Sequence, residues 1–321
     1  MYTRENYKKV KDIIDSRRQK AISDAEERNF EVQSLSSEIK EIDKELRGVG
    51  LLLFKTACGG GDIDLIRKRN QALCKQRENA LLALGLPIDY TEPKYTCKKC
   101  SDSGFIETKL CDCFKEALIK ENINSSGMNK LMQKQSFDNF DIERYKDNAV
   151  IYKKMKHHLM YAKNFAENFE DNKSKTVLFI GKTGTGKTHL TTAIARRVLE
   201  CGYEVLYEST QNILAEFEEE KFRSGYGHRE PITDKYLECE LLIMDDLGTE
   251  FSTQFSLSCL YNIINTRQNR GLATIISTNI SLEALRTTYD DRITSRILGC
   301  DADVLLFEGY DQRIATKLNK V

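Results

Sequence analysis

Residues 178–190, LFIGKTGTGKTHL, decide how the rest of the chain is read. An apolar run ends at Gly181, and residues 181–188 then match G-x-x-x-x-G-K-[ST] at every fixed position. Glycine reaches backbone dihedrals that other residues avoid, so such a loop can turn successive N–H groups toward phosphate oxygens. Gly181, Lys182, Thr183, Gly184, Thr185, Gly186, Lys187, Thr188 and His189 are the candidate nucleotide-binding residues. Lys187 is placed to reach the β and γ phosphates, and the Thr188 hydroxyl to ligate magnesium. The motif requires a strand before it and a helix after it, and the flanking patterns supply both. The stretch is read as a site for ATP or GTP.

Downstream of residue 175, short apolar runs at 176–180, 204–207, 241–244, 273–277 and 303–307 alternate with helical stretches. That alternation predicts an α/β fold, a parallel sheet with helices on both faces. LLIMDD, 241–246, is an apolar strand ending in two acids. Asp245 is placed to hold magnesium, directly or through water, and Asp246 to orient or deprotonate the attacking water. The alternative for this pair is an ordinary loop start. The strand IISTN ends on Asn279, a polar residue able to sense the γ phosphate or position water. Arg292 and Arg296 lie four apart and share a helix face, and Arg313 follows near the start of a last helix. An arginine beside a transferring phosphoryl group stabilises the charge that develops there. Surface salt bridging is the plainer reading of that spacing.

Upstream the pattern is helical. Val32, Leu35, Ile39, Ile42 and Leu46 recur at spacings of three and four, and Ile66, Leu73, Ala80 and Leu84 make a second stripe. The glycines of GVGLLLFKTACGGG, 48–61, are expected to break the helix between them. Two such helices form a hairpin that buries its stripes on each other or on a partner. LGLPIDYTEPKYT, 84–96, contains two of the chain's three prolines and reads as an extended connector.

CKKCSDSGFIETKLCDC, 97–113, then gives Cys97, Cys100, Cys111 and Cys113. Two close pairs separated by ten residues can bring four thiolates into a tetrahedron, which suits structural zinc. Gly104 permits the turn between the pairs. An iron–sulfur cluster and unliganded thiols are the alternatives. The remaining six of ten cysteines are scattered singly, a usage that fits a reducing cytosol better than a disulfide framework. His157 and His158 are rival ligands, though KKMKHH reads as a solvated face. Formal charge is zero, with 49 basic and 49 acidic side chains, which excludes a uniformly basic nucleic-acid coat. The charged amino terminus is not a signal peptide, and no run of 18 apolar residues occurs, so no membrane span and a cytoplasmic location are expected.

With these residues in view, the chain resembles the bacterial replicative helicase loaders of the DnaC and DnaI type, AAA+ ATPases related to the transposition helper IstB. The likeness runs from about Leu84 onward. It rests on LGLPIDYTEPKYTCKKCSDSGF, the P-loop, LLIMDDLG, and STN followed by RITSR. The resemblance implies ATP as nucleotide, with Lys187 and Thr188 as the Walker A pair. It further implies Asp245 as the Walker B metal residue and Asp246 in the catalytic acid's place. Asn279 resembles sensor 1, Arg296 an arginine finger reaching a neighbouring subunit's ATP, and Arg313 sensor 2. The implied partners are a hexameric replicative helicase, single-stranded DNA and further copies of the chain through their AAA+ modules. An IstB-like or phage-replication helper acting on another DNA-processing enzyme is the alternative. DNA contacts are expected at Lys221 and Arg223, in the extra helical element at 208–227. The expected organisation is a helical partner-binding region over 1–90, a zinc-binding module over 91–125, a linker and lead-in helix over 126–174, and the AAA+ ATPase domain over 175–321.

Overall fold

The computed structural model describes residues 4–59, 64–130, 132–172, 175–223, 232–251, 253–299 and 302–311. By its contacts the chain forms two compact units, one of residues 8–115 and one of residues 1–7 with 116–321. One boundary thus falls after Tyr7 and the other after Lys115, inside the span read as the zinc-binding module.

The smaller unit is built from α1 (Arg4–Leu35), whose first residues belong to the other unit, α2 (Ser37–Gly59) and α3 (Asp64–Ala83). Helix breaking differs from the expectation only in part. Helix α2 runs on through Gly48 and ends at Gly59, within the segment expected to break the helix, and a further interruption falls at Ser36. A glycine inside a helix costs only about 1 kcal/mol, which packing against a second helix offsets. Ile42, Val49 and Leu73 form one apolar cluster between α2 and α3, while Val32, Ile39, Ala80 and Leu81 form another. Leu35 and Leu84, counted in the stripes, stand exposed. Polar cross-links complete the packing: Arg77 donates to Asp43 at 2.6 Å, to Asn29 at 2.9 Å and to Thr91 at 3.0 Å. A short antiparallel hairpin, β1 (Phe105–Ile106) and β2 (Lys109–Leu110), follows, and α4 (Asp112–Ser125) leads out.

In the larger unit, α5 (Ala149–Glu167) and the short α6 (Phe169–Asn172) precede β3 (Thr176–Gly181), α7 (Lys187–Glu200), β4 (Val205–Ser209) and α8 (Thr210–Arg223). Then come α9 (Asp234–Glu238), β5 (Leu241–Leu247), α10 (Gln254–Asn269), β6 (Ala273–Thr278), α11 (Leu282–Thr288), α12 (Asp291–Ile297) and β7 (Ala302–Phe307). All five expected strands form, in a parallel sheet of order β4-β5-β6-β3-β7. Their apolar runs are continuous because both faces are covered. Val177, Phe179, Ile243, Ile275 and Phe307 face α5 and α7, while Leu178, Leu242, Met244 and Ile276 face the helices that follow β4, β5 and β6.

Local capping fixes the helix starts. The Asn148 side chain accepts from the Val150 and Ile151 N–H groups to open α5. Thr253 and Ser256 form a reciprocal capping box at α10. Arg267, wholly buried, donates to Tyr236 O at 2.8 Å and Ala273 O at 2.6 Å, tying α10 to α9 and β6. His158 corrects the reading of a solvated face: it is buried against Phe307 with ring centroids 4.8 Å apart, and Nε2 lies 2.9 Å from Leu306 O.

Candidate nucleotide site

The P-loop leaves the carboxyl end of β3, beside β6 on one side and β7 on the other. Gly186, at φ +100°, caps α7 at its amino terminus, where backbone N–H groups have no helical acceptor. A Cβ on Gly186 would stand 2.6 Å from the Tyr145 hydroxyl, so both the dihedral and the space require glycine. The Lys187 ammonium donates to Gly181 O at 2.6 Å and Lys182 O at 3.0 Å, which holds the head of the lysine inside the loop. Thr185 is buried and donates to Lys182 O at 2.7 Å, while Lys182 and Thr183 are exposed. Thr188 is half-buried in the first turn of α7.

A cleft of about 630 Å³ opens from this loop, within the usual range for small-molecule sites. Its other wall is the segment read as linker: Asn139, Phe140, Asp141, Arg144 and Tyr145 face Gly186, Lys187, Thr188 and His189. Tyr145 donates to Thr185 O at 3.1 Å, and burial pushes its phenol up to about 12, so it stays a donor. His189 meets the Phe140 ring edge-on at 5.1 Å, and its Nε2 lies 3.0 Å from both Ser136 O and Asn139 Oδ1. Burial lowers the His189 pKa and keeps the ring neutral near pH 7. The aromatic and charged residues in KQSFDNFDIERY were the sequence signal for this wall, but nothing in their spacing tied them to the loop.

Asp245 is buried near the end of β5, separated from the P-loop strand by β6 alone. The Ser277 hydroxyl donates to its Oδ1 and the Tyr207 hydroxyl to its Oδ2, the latter at 2.7 Å. Each carboxylate oxygen keeps lone pairs beyond those bonds, so the group fits a magnesium ion or its water shell. Asp246 is exposed and sits at φ +55°, a conformation Asp tolerates better than most residues, with its N–H on Ser277 Oγ at 3.1 Å. Asn279 lies exposed just past β6. Ser277, two residues earlier on the same strand, is the β6 side chain that meets Asp245. Tyr207 and Ser277 were missed in the sequence because hydroxyls inside apolar strands carry no motif.

Arg296 is half-buried against α10, donating to Tyr261 Oη at 3.1 Å and Asn265 Oδ1 at 2.5 Å, while Arg292 is exposed. Arg313 and residues 224–227 lie outside the described residues. Lys221 is exposed, with its ammonium 4.6 Å from the Phe255 ring centroid.

In the smaller unit the four cysteines converge, with all four sulfurs within 4.8 Å of one another. Cys97 and Cys111 are 3.8 Å apart, and Cys100 and Cys113 3.5 Å. Tetrahedral zinc with Zn–S of about 2.3 Å separates its sulfurs by about 3.8 Å, so the residues fit that ion. Backbone N–H donation, chiefly from Cys100, lowers Cys97 to about 7. Asp102, fully buried, accepts from the Thr96 and Cys97 N–H groups at 2.8 and 2.9 Å and from Arg17 at 2.7 Å, bracing the first cysteine pair against α1.

A parallel sheet with a phosphate-type glycine loop on one strand and an acidic pair two strands away defines a P-loop nucleoside triphosphatase of the AAA+ kind. More narrowly, the chain belongs to the family of IstB-like ATP-binding proteins, whose model matches residues 119–309, and it is an ATPase of the DnaC and IstB group. It is similar to the replicative helicase loader DnaC of Escherichia coli (strain K12), 25% identical over 201 residues that span 62% of this chain and 78% of DnaC. DnaC of Buchnera aphidicola subsp. Acyrthosiphon pisum (strain APS) is 24% identical over 218 residues, 64% of this chain and 83% of its own length. A crystal structure of the DnaC helicase loader aligns with a TM-score of 0.48 at 23% identity, covering 56% of this chain and 100% of the other. No helix among the described residues is long and apolar enough to cross a membrane.

Proposed function

We propose that this chain loads a hexameric replicative DNA helicase onto single-stranded DNA, using ATP, at the initiation of replication. The observation that carries the reading is its similarity to relatives named replicative helicase loader across more than three quarters of their length, 78% of Escherichia coli DnaC. In this reading the P-loop holds the triphosphate, Lys187 neutralises charge on the β and γ phosphates, and Thr188 and Asp245 hold magnesium. When bound, that ion would supply electrostatic stabilisation of the transferring phosphoryl group. Asp246 accepts the proton of the attacking water or orients it, and Asn279 assists from the end of β6. Arg296 leaves Tyr261 and Asn265 to reach the ATP of an adjacent copy, and Arg313 contacts the nucleotide within its own chain. Copies assemble through their AAA+ modules, so nucleotide state sets the grip on DNA and helicase. Lys221 and Arg223 contribute DNA contacts.

The smaller unit, braced by zinc on Cys97, Cys100, Cys111 and Cys113, grips the helicase, and the protein works in the cytoplasm. A second reading, a helper ATPase for transposition or phage replication, is favoured by one observation, the IstB-like description of the matching family. Native mass spectrometry of the chain with the replicative helicase of the same organism and ATP separates the two. A defined complex supports loading. Self-assembly on single-stranded DNA with no helicase bound supports the second reading.

A further inference from the structure

Among the described residues, strand β4 is an edge of the sheet, with β5 as its one strand neighbour. Ser209 of β4 lies opposite Asp245, and Tyr207 lies opposite Ile243. Directly paired residues point to one face, so Tyr207 and Asp245 are diagonal neighbours on the same face, a distance that a long side chain spans. The phenol does so: its hydroxyl donates to Asp245 Oδ2 at 2.7 Å and lies 3.2 Å from Thr191 Oγ1. Thr191 lies one turn beyond Thr188 on α7, and with the phenol proton spent on Asp245 it is the Thr191 hydroxyl that donates in this contact. One hydroxyl therefore joins the acidic strand to the helix that bears the second Walker residue. Tyr207 is 3% exposed and Asp245 8% exposed. An enclosed carboxylate needs hydrogen-bond donors on its oxygens, and bonds of this kind also fix its rotation. Ser277 provides one donor and Tyr207 the other.

The position of the phenol is itself fixed from outside the sheet. The Tyr207 N–H donates to Ser126 O at 2.7 Å, on the segment that follows α4. The neighbouring Gly127, at φ +86°, lies so close to Tyr207 O that a Cβ there would overlap it. The outer edge of β4 is thus clamped at the residue whose side chain holds Asp245.

We propose that Tyr207 is the positioning residue for the metal-binding carboxylate of Asp245, and that its clamp by Ser126 and Gly127 sets where its hydroxyl stands. The proposal rests on the ATPase reading of the site and adds a residue that no motif identifies.

The test titrates magnesium against binding of a fluorescent ATP analogue, using the full chain as wild type and as Tyr207→Phe. Losing a hydrogen bond to a charged group should raise the half-saturating magnesium concentration roughly tenfold. Affinity for the analogue without metal should stay within about twofold, because Tyr207 touches no P-loop residue by its hydroxyl. Gly127→Ala retains the phenol and should shift the magnesium requirement in the same direction; an unchanged requirement overturns the role of the clamp. For Tyr207→Phe, an unchanged magnesium requirement overturns the positioning role, as does an equal loss of affinity with and without metal, which marks a packing role alone. Wild type whose analogue binding ignores magnesium overturns the metal reading of the site itself and this proposal with it.

Discussion

The two units of the chain become ordered by different means. In the larger one, five parallel strands bury both faces, and two extensive apolar clusters enclose the sheet. In the smaller one, three long helices share small apolar clusters, among the described residues Ile42–Val49–Leu73 and Val32–Ile39–Ala80–Leu81, supplemented by the ion pairs Arg77–Asp43 and Arg17–Asp102 and by the four converging cysteines. Small apolar clusters leave more of the stability to polar cross-links, and a metal on the four cysteines, if bound, would add to it there and not in the sheet unit. Nucleotide chemistry and metal-dependent folding should therefore separate between them.

The largest effect expected is chemical and confined to the sheet unit. Lys187→Ala should cut ATP hydrolysis by about a hundredfold or more while leaving the far-ultraviolet circular dichroism unchanged. A parallel loss of helical signal would break the separation. Chelation of the cysteine site, or Cys100→Ser, should act in the opposite sense. Helices of residues 8–115 should become protease-sensitive, with a loss of several kcal/mol, while nucleotide affinity stays within about twofold. Resistance of that unit to both treatments would show that the helices stand without metal.

The sheet unit was the more legible of the two in sequence, for a physical reason. Its strands are buried on both faces, so each appears as an uninterrupted apolar run, and its loop must carry glycines at fixed spacing. The helical unit offered only periodicity, and periodicity does not say where a helix ends. Thus Gly48 was read as a breaker although α2 runs through it, and Leu35 and Leu84 were placed in stripes they do not bury. The cysteine cluster was legible because its spacing is itself the signal. The cleft wall from Asn139 to Tyr145 and the hydroxyls on Asp245 were not, because they meet only through the sheet's crossover order.

Smaller effects sharpen the comparison. Gly186→Ala forces a side chain into a left-handed dihedral beside the Tyr145 hydroxyl, and nucleotide affinity should fall about tenfold, read by the same analogue titration. Arg77→Ala removes bonds to Asp43, Asn29 and Thr91, and should destabilise the helical unit by about 2 kcal/mol in a urea melt monitored at its own helices. The mildest effect is that of pH. Burial lowers the pKa of both His158 and His189 from 6.5, so the unfolded chain takes up those protons first. The sheet unit should hold its full stability above pH 6.5 and lose part of it as pH falls through the lowered values. Thermal melts at pH 7.5 and 5.5 should show the drop in wild type, and a smaller one in His158→Gln.

Helicase loading requires that ATP in this P-loop be used to place a helicase on DNA. The most direct measurement incubates the chain, the same organism's hexameric helicase and circular single-stranded DNA with ATP, then counts helicase retained on the DNA after isolation. Loading should leave helicase on the circle with wild type and little with Lys187→Ala. Equal helicase on the circle with wild type, with Lys187→Ala and with no loader would contradict it.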